Sequence, residues 1–161
     1  MSTAPTVPTL HGRATVGLPV EQAFRLFTDS FGTWWPAEYH IGGADMADAV
    51  LEPRPGGRWY ERGVDGSECD WGRVLAWEPP HRLVVTWQIN GHWQFDPDPE
   101  HASEIEVRFT AAGPARTTVE LEHRHLDRLV AGQAMHDAIG QGGGGWTTVL
   151  RAFARVAEGD K

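Results

Sequence analysis

The sequence predicts an α+β fold: a curved antiparallel β-sheet wrapped around a long C-terminal helix, with two short helices after the first strand. Three observations lead there. Residues 103–110 and 117–123 alternate apolar and polar side chains with period two, and residues 146–157 repeat apolar side chains at helical spacing. Eight tryptophans, against two tyrosines and six phenylalanines, exceed what a small sheet core needs and point to an interior lined by aromatic surface. At 161 residues the chain is expected to be one domain, with a core over about residues 10–158.

Each element follows in chain order. In 10–18, Leu10, Ala14, Val16 and Leu18 share one face of a strand, and His11, Arg13 and Thr15 the other. Pro19 opens a short helix whose stripe is Val20, Ala23, Phe24 and Phe27. Phe31, Trp34 and Trp35 form a second short helix that Pro36 ends, and a loop with Gly42 and Gly43 follows. From residue 49, turns at Pro53–Gly57, Asp65–Gly66, Glu78–His81, Asn90–Gly91 and Ala111–Ala115 divide an antiparallel meander.

Strand parity then selects the interior. In 57–63, Arg58, Tyr60 and Arg62 face out and Trp59 and Glu61 face in. In 71–77 the more apolar set, Trp71, Arg73, Leu75 and Trp77, is placed inward, although Val74 fits the core equally well. Leu83, Val85, Trp87 and Ile89 point in. So do Ile105, Val107 and Phe109, then Thr117, Val119, Leu121 and His123. Residues 126–139 permit a helix but are weakly patterned. Gly142–Gly145 break the chain before the last helix, whose buried stripe is Trp146, Val149, Leu150, Phe153, Val156 and Ala157.

Composition excludes several roles. The formal charge is −8 and lysine occurs once, at Lys161, so nucleic acid is a poor partner. The lone Cys69 permits neither an intramolecular disulfide nor a Cys-rich zinc site, and its acidic neighbours disfavour a thiolate. His123 and His125 lack a carboxylate set at ligand spacing, and the His92–His101 stretch reads as a solvated loop, so no metal is expected. The glycine run lacks a P-loop ending, and no nucleophile elbow is present. No leader pattern and no membrane-length apolar run occur, so a cytoplasmic protein without cofactor is expected.

Several phrases look familiar together: Phe24 and Phe27 followed by Trp34–Trp35–Pro36; Pro55–Gly56–Gly57–Arg58–Trp59; Trp71–Gly72–Arg73–Val74 running to Pro79–Pro80–His81–Arg82–Leu83 and Trp87; and Gly144–Gly145–Trp146. They resemble the START-like (Bet v 1-like) superfamily, in the branch named after the C-terminal domain of the Hsp90 ATPase activators. The resemblance implies a helix-grip fold and an internal cavity for a lipophilic molecule. It does not imply a reaction.

The expected ligand-binding residues are Trp35, Trp59, Glu61, Trp71, Arg73, Trp87, Phe109, His123 and Trp146. Glu61, Arg73 and His123 are polar intruders, which should pair or meet a ligand because unpaired buried charge is costly. Binding of a lipophilic or aromatic small molecule is the leading expectation. The alternatives are a cyclase, dehydratase or hydrolase using Glu61 and His123, and a co-chaperone-like domain with a chaperone-type protein partner. A monomer or a homodimer is expected.

Overall fold

The computed structural model describes residues 7–36, 39–141 and 145–159. The chain runs β1 (Leu10–Val16), α1 (Val20–Asp29), α2 (Phe31–Trp34), β2 (Met46–Leu51), β3 (Arg58–Gly63), β4 (Glu68–Glu78), β5 (Arg82–Trp87), β6 (Ser103–Gly113), β7 (Arg116–Arg124), α3 (Gly132–Gln141) and α4 (Gly145–Ala157). Seven strands form one antiparallel sheet in the order β1-β7-β6-β5-β4-β3-β2. The N-terminal strand therefore closes against the last one, and β2 is left at the far edge.

The sheet curls around α4, which buries Trp146, Val149, Leu150, Phe153 and Ala157. Gly12 allows this approach: a Cβ there would lie 2.9 Å from Trp146 Cβ and 3.0 Å from the Trp146 carbonyl carbon. Helices α1 and α2 fill the other end of the curl. Phe24 meets Trp77 and Phe109 edge to face at 5.2 and 5.1 Å, and Phe27 meets Phe153 at 5.3 Å. Edge-to-face pairing of this kind adds to plain apolar burial.

The inward parity of β3, β5, β6 and β7 follows the sequence expectation: Trp59, Glu61, Leu83, Val85, Trp87, Ile105, Val107, Phe109, Val119, Leu121 and His123 are all buried. Strand β4 differs. Trp59 pairs with Gly72 but Tyr60 pairs with Asp70, so Trp71 is an extra residue. Val74 pairs with Val85 but Ala76 pairs with Val84, so Leu75 is another. Each bulge resets the alternation. Trp71 and Val74 consequently face the core, while Leu75 is 49% exposed and Arg73 lies on the outer face. The inward placement of Arg73 and Leu75 is thus corrected, and Val74 takes the core position.

The outer face carries a charged lattice. Arg124 reaches Glu106 at 2.6 Å, Glu104 at 3.2 Å and Glu122 at 3.3 Å, and Arg82 reaches Glu106 at 2.8 Å. Burial works to raise the Glu106 carboxyl, and the hydrogen bonds from Arg124 and Arg82 outweigh it, so this group is held below the ordinary glutamate range. On β3, Arg58 stacks 4.0 Å above the Tyr60 ring, which explains why an outward tyrosine is nevertheless buried.

Candidate functional site

A cavity of about 420 Å³ opens between α4, α3 and the sheet. Its inner wall is Trp35, Trp71, Trp87 and Trp146. Each indole N–H of this wall is already bonded: Trp35 Nε1 donates to the Tyr39 carbonyl at 2.7 Å, and Trp71 Nε1 to Glu61 Oε1 at 2.9 Å. Trp87 Nε1 donates to the Ile89 carbonyl at 3.0 Å, and Trp146 Nε1 to His123 Nδ1 at 3.2 Å. What the wall offers a guest is therefore ring surface, not donors.

His123 serves this arrangement from behind. Its Nδ1 accepts from Trp146, so the neutral ring carries its proton on Nε2, which bonds Ser103 Oγ at 2.9 Å; that hydroxyl in turn donates to the Trp87 carbonyl at 2.9 Å. Burial, with His136 adding to it, lowers the imidazole to about 3. The ring is a neutral bracket joining two wall tryptophans. Both its nitrogens are engaged by the protein, so the expected proton-transfer role for His123 gives way to a structural one.

Glu61 is likewise one layer behind the wall and 1% exposed. Besides Trp71 it accepts from the backbone N–H of Ile41 at 2.7 Å and of Gly42 at 3.0 Å, and His40 Nδ1 lies 3.1 Å from its Oε2. A Cβ at position 42 would lie 2.7 Å from Oε2, so glycine lets the loop settle on the carboxylate. The buried carboxyl group thus meets three N–H donors and the His40 ring, which is what permits its burial. Its partner is this loop, not Arg73, whose guanidinium pairs with Asp70 at 3.3 Å on the outer face. Arg73 is accordingly removed from the cavity. Burial first, then Glu61 and Asp70, pushes the Cys69 thiol up.

Of the remaining expected ligand contacts, Trp59 and Phe109 are buried but are not among the residues around the large cavity. Trp59 borders a separate void of about 20 Å³, and its Nε1 has no hydrogen-bond partner. The sequence reading missed Tyr39, His40 and Ile41 on one rim, Trp93 on another, and Ile139 of α3. Trp93 follows the expected Asn90–Gly91 turn, in which Asn90 Oδ1 accepts from the N–H groups of His92 and Gln94. Gly91 N donates to the Val130 carbonyl and ties this turn to the segment before α3. Trp93 itself is 48% exposed at a backbone φ of 60°, a left-handed conformation that a bulky residue adopts at a cost of ~1–2 kcal/mol. Of the glycine run, Gly142–Gly144 lie outside the described residues, and Gly145 begins α4 and borders the cavity.

Among the described residues no cluster of three or more His, Cys, Asp or Glu side chains is arranged to hold a metal ion. No described helix is long and apolar enough to cross a membrane.

A curled antiparallel sheet gripping a C-terminal helix, with a cavity between them, is the START-like helix-grip architecture. The family model described as Activator of Hsp90 ATPase homolog 1-like protein matches residues 17–158, and the chain belongs to that family. The chain is similar to Txn09, an anthrahydroquino-γ-pyrone synthase solved in complex with SUM. Identity is 40%, covering 94% of this chain and 97% of that one, with a TM-score of 0.66. It is also similar to CalC from Micromonospora echinospora, a self-sacrificing resistance protein. Here identity is 33%, covering 94% of each chain, with a TM-score of 0.66. The Aha1 dimer from Colwellia psychrerythraea, at 14% identity over 94% of this chain and 96% of that one and a TM-score of 0.64, shares the fold. No match is found among curated proteins.

Proposed function

We propose that the protein binds a flat, polycyclic aromatic small molecule in the cavity between α4 and the sheet. The observation that carries this reading is the wall of four tryptophans whose N–H groups are all consumed within the protein. Such a surface rewards stacking and dispersion and gives a hydrogen-bonding guest few anchors. The volume of about 420 Å³ falls in the range that encloses a small organic ligand. The likeness to a synthase whose name specifies an anthrahydroquinone supports the same ligand class.

A thermal-shift comparison tests this. Anthraquinones at a concentration a hundredfold above their Kd should raise Tm by about 5 °C or more. Palmitate at the same concentration should not. Equal shifts for both, or none for the anthraquinones, would overturn the proposal.

A second reading, closure of an oxygen-containing ring on such a molecule, is favoured by the 40% identity to that synthase. Its check is incubation with a hydroxyanthracene bearing an unsaturated ketone beside the hydroxyl. Enzyme-dependent formation of the cyclic isomer is expected, and recovery of the open form alone contradicts it.

A further inference from the structure

We propose that His40 takes the proton of a phenolic hydroxyl on the bound aromatic molecule, with Glu61 as the residue that positions its ring and faces the resulting charge. The inference rests on the aromatic-binding reading and adds to it a named acidic group on the ligand and its acceptor on the protein.

The geometry is asymmetric in a way that a proton acceptor requires. His40 borders the cavity, and its Nδ1 lies 3.1 Å from the Glu61 carboxylate, to which it donates in the tautomer that carries the proton on Nδ1. In that tautomer Nε2 carries the lone pair, so the ring keeps one acceptor nitrogen for a guest. The four wall tryptophans cannot compete for the guest's hydroxyl, because they are donors only and already engaged. Besides His40, the titratable side chain that borders the cavity among the described residues is Tyr39. Glu61 of β3 is in contact with His40, and Cys69 of β4 lies behind that carboxylate with its thiol pushed up by burial. The sides formed by β5, α3 and α4 present Trp87, Ala138, Ile139, Trp146 and Val149, none of them charged.

The transfer is balanced within the complex. The phenolic O–H bond breaks, the proton goes to Nε2, and the products are a phenolate and an imidazolium. The new positive charge lies between Glu61 on one side and the phenolate on the other, both favourable contacts at a partly buried rim. Glu61 is already held by Ile41, Gly42 and Trp71, so it can receive that charge without rearranging.

The probe is 1,2-dihydroxyanthraquinone, whose visible absorption moves to longer wavelength when a phenolic proton leaves. Bound to the intact protein, it should show the phenolate band at a pH about one unit or more below that of the free dye, a tenfold shift in the proton equilibrium. His40→Phe keeps the wall apolar and should still quench tryptophan fluorescence on binding, but without the phenolate band. Glu61→Gln, with a melting curve confirming its fold, should move the band back toward the free dye's pH. A purely structural role for Glu61 would leave that pH unchanged. Dye that binds with a neutral spectrum, or a phenolate band that persists in His40→Phe, overturns this proposal and leaves aromatic binding intact. Failure of the dye to bind overturns both.

Discussion

His123 illustrates what one residue type does when the protein consumes both of its nitrogens. Its folded-state value of about 3 is below the 6.5 of the unfolded chain. The unfolded chain therefore takes up a proton that the folded one refuses. The stability this contributes is complete above about pH 6.5 and shrinks as pH falls toward 3, by up to about 1.4 kcal/mol per unit. Urea denaturation at pH 7, 6 and 5 should show that loss, and His123→Leu should flatten it while costing about 1–3 kcal/mol at pH 7, because Trp146 and Ser103 lose their partner. A wild-type stability independent of pH between 7 and 5 contradicts this role. Trp93 makes the opposite case. Trp93→Gly removes the left-handed strain, so Tm should hold or rise, while anthraquinone affinity should fall about tenfold with the loss of a rim aromatic. Unchanged affinity would remove Trp93 from the site. Inward Glu61 and His123 were legible from strand parity alone. His40 was not, because it sits in a loop whose position is fixed by backbone contacts to Glu61, and parity does not extend into loops.

At the scale of the element, β4 is where period-two reasoning fails, and the reason is physical. A bulge adds one residue to one strand, and every side chain beyond it changes face. Two bulges, at Trp71 and Leu75, bring Trp71, Val74 and Trp77 toward the interior at a spacing of three. Gly72 beside the first bulge is a cue that strand parity does not use, and nothing in the sequence marks the second, so parity alone puts Arg73 inward whereas its guanidinium pairs with Asp70 on the outer face. In β6 and β7 no shift intervenes between Glu104 and Ala111, and the alternation there reads directly. The junction of α4 with β1 makes a sharper prediction. Gly12→Val would press against Trp146 and Leu150, lift α4 from the sheet, and destabilise by about 1–3 kcal/mol in urea titrations. A neutral effect would mean that the helix is not held at this distance.

For the molecule as a whole, the helix at Trp146 and the sheet around it follow from hydrophobic periodicity, and these set the architecture. The cavity does not follow from it. A tryptophan that fills a core and one that lines a cavity carry the same sequence signal, and Trp59 and Trp71 were indistinguishable on that basis. What separates them is whether α3 and the rim segments at 39–41 and 93 close down on the curled sheet or leave room. The hydrogen-bond chain Trp146–His123–Ser103–Trp87 then fixes two wall rings in edge-to-face contact, 5.5 Å between centroids, so that their orientation is set from behind the cavity. The central claim is therefore that this space is a binding site for a flat aromatic guest. It is tested most directly by titrating a hydroxyanthraquinone into the protein and into Ile139→Trp, while following tryptophan fluorescence. Ile139 borders the cavity from α3 and is only partly buried where it packs against the core, so a larger side chain there has the cavity to project into. The account predicts saturable one-to-one quenching of the wild type and its loss in a folded Ile139→Trp variant. Quenching that is unsaturable, or unchanged in that variant, would contradict it.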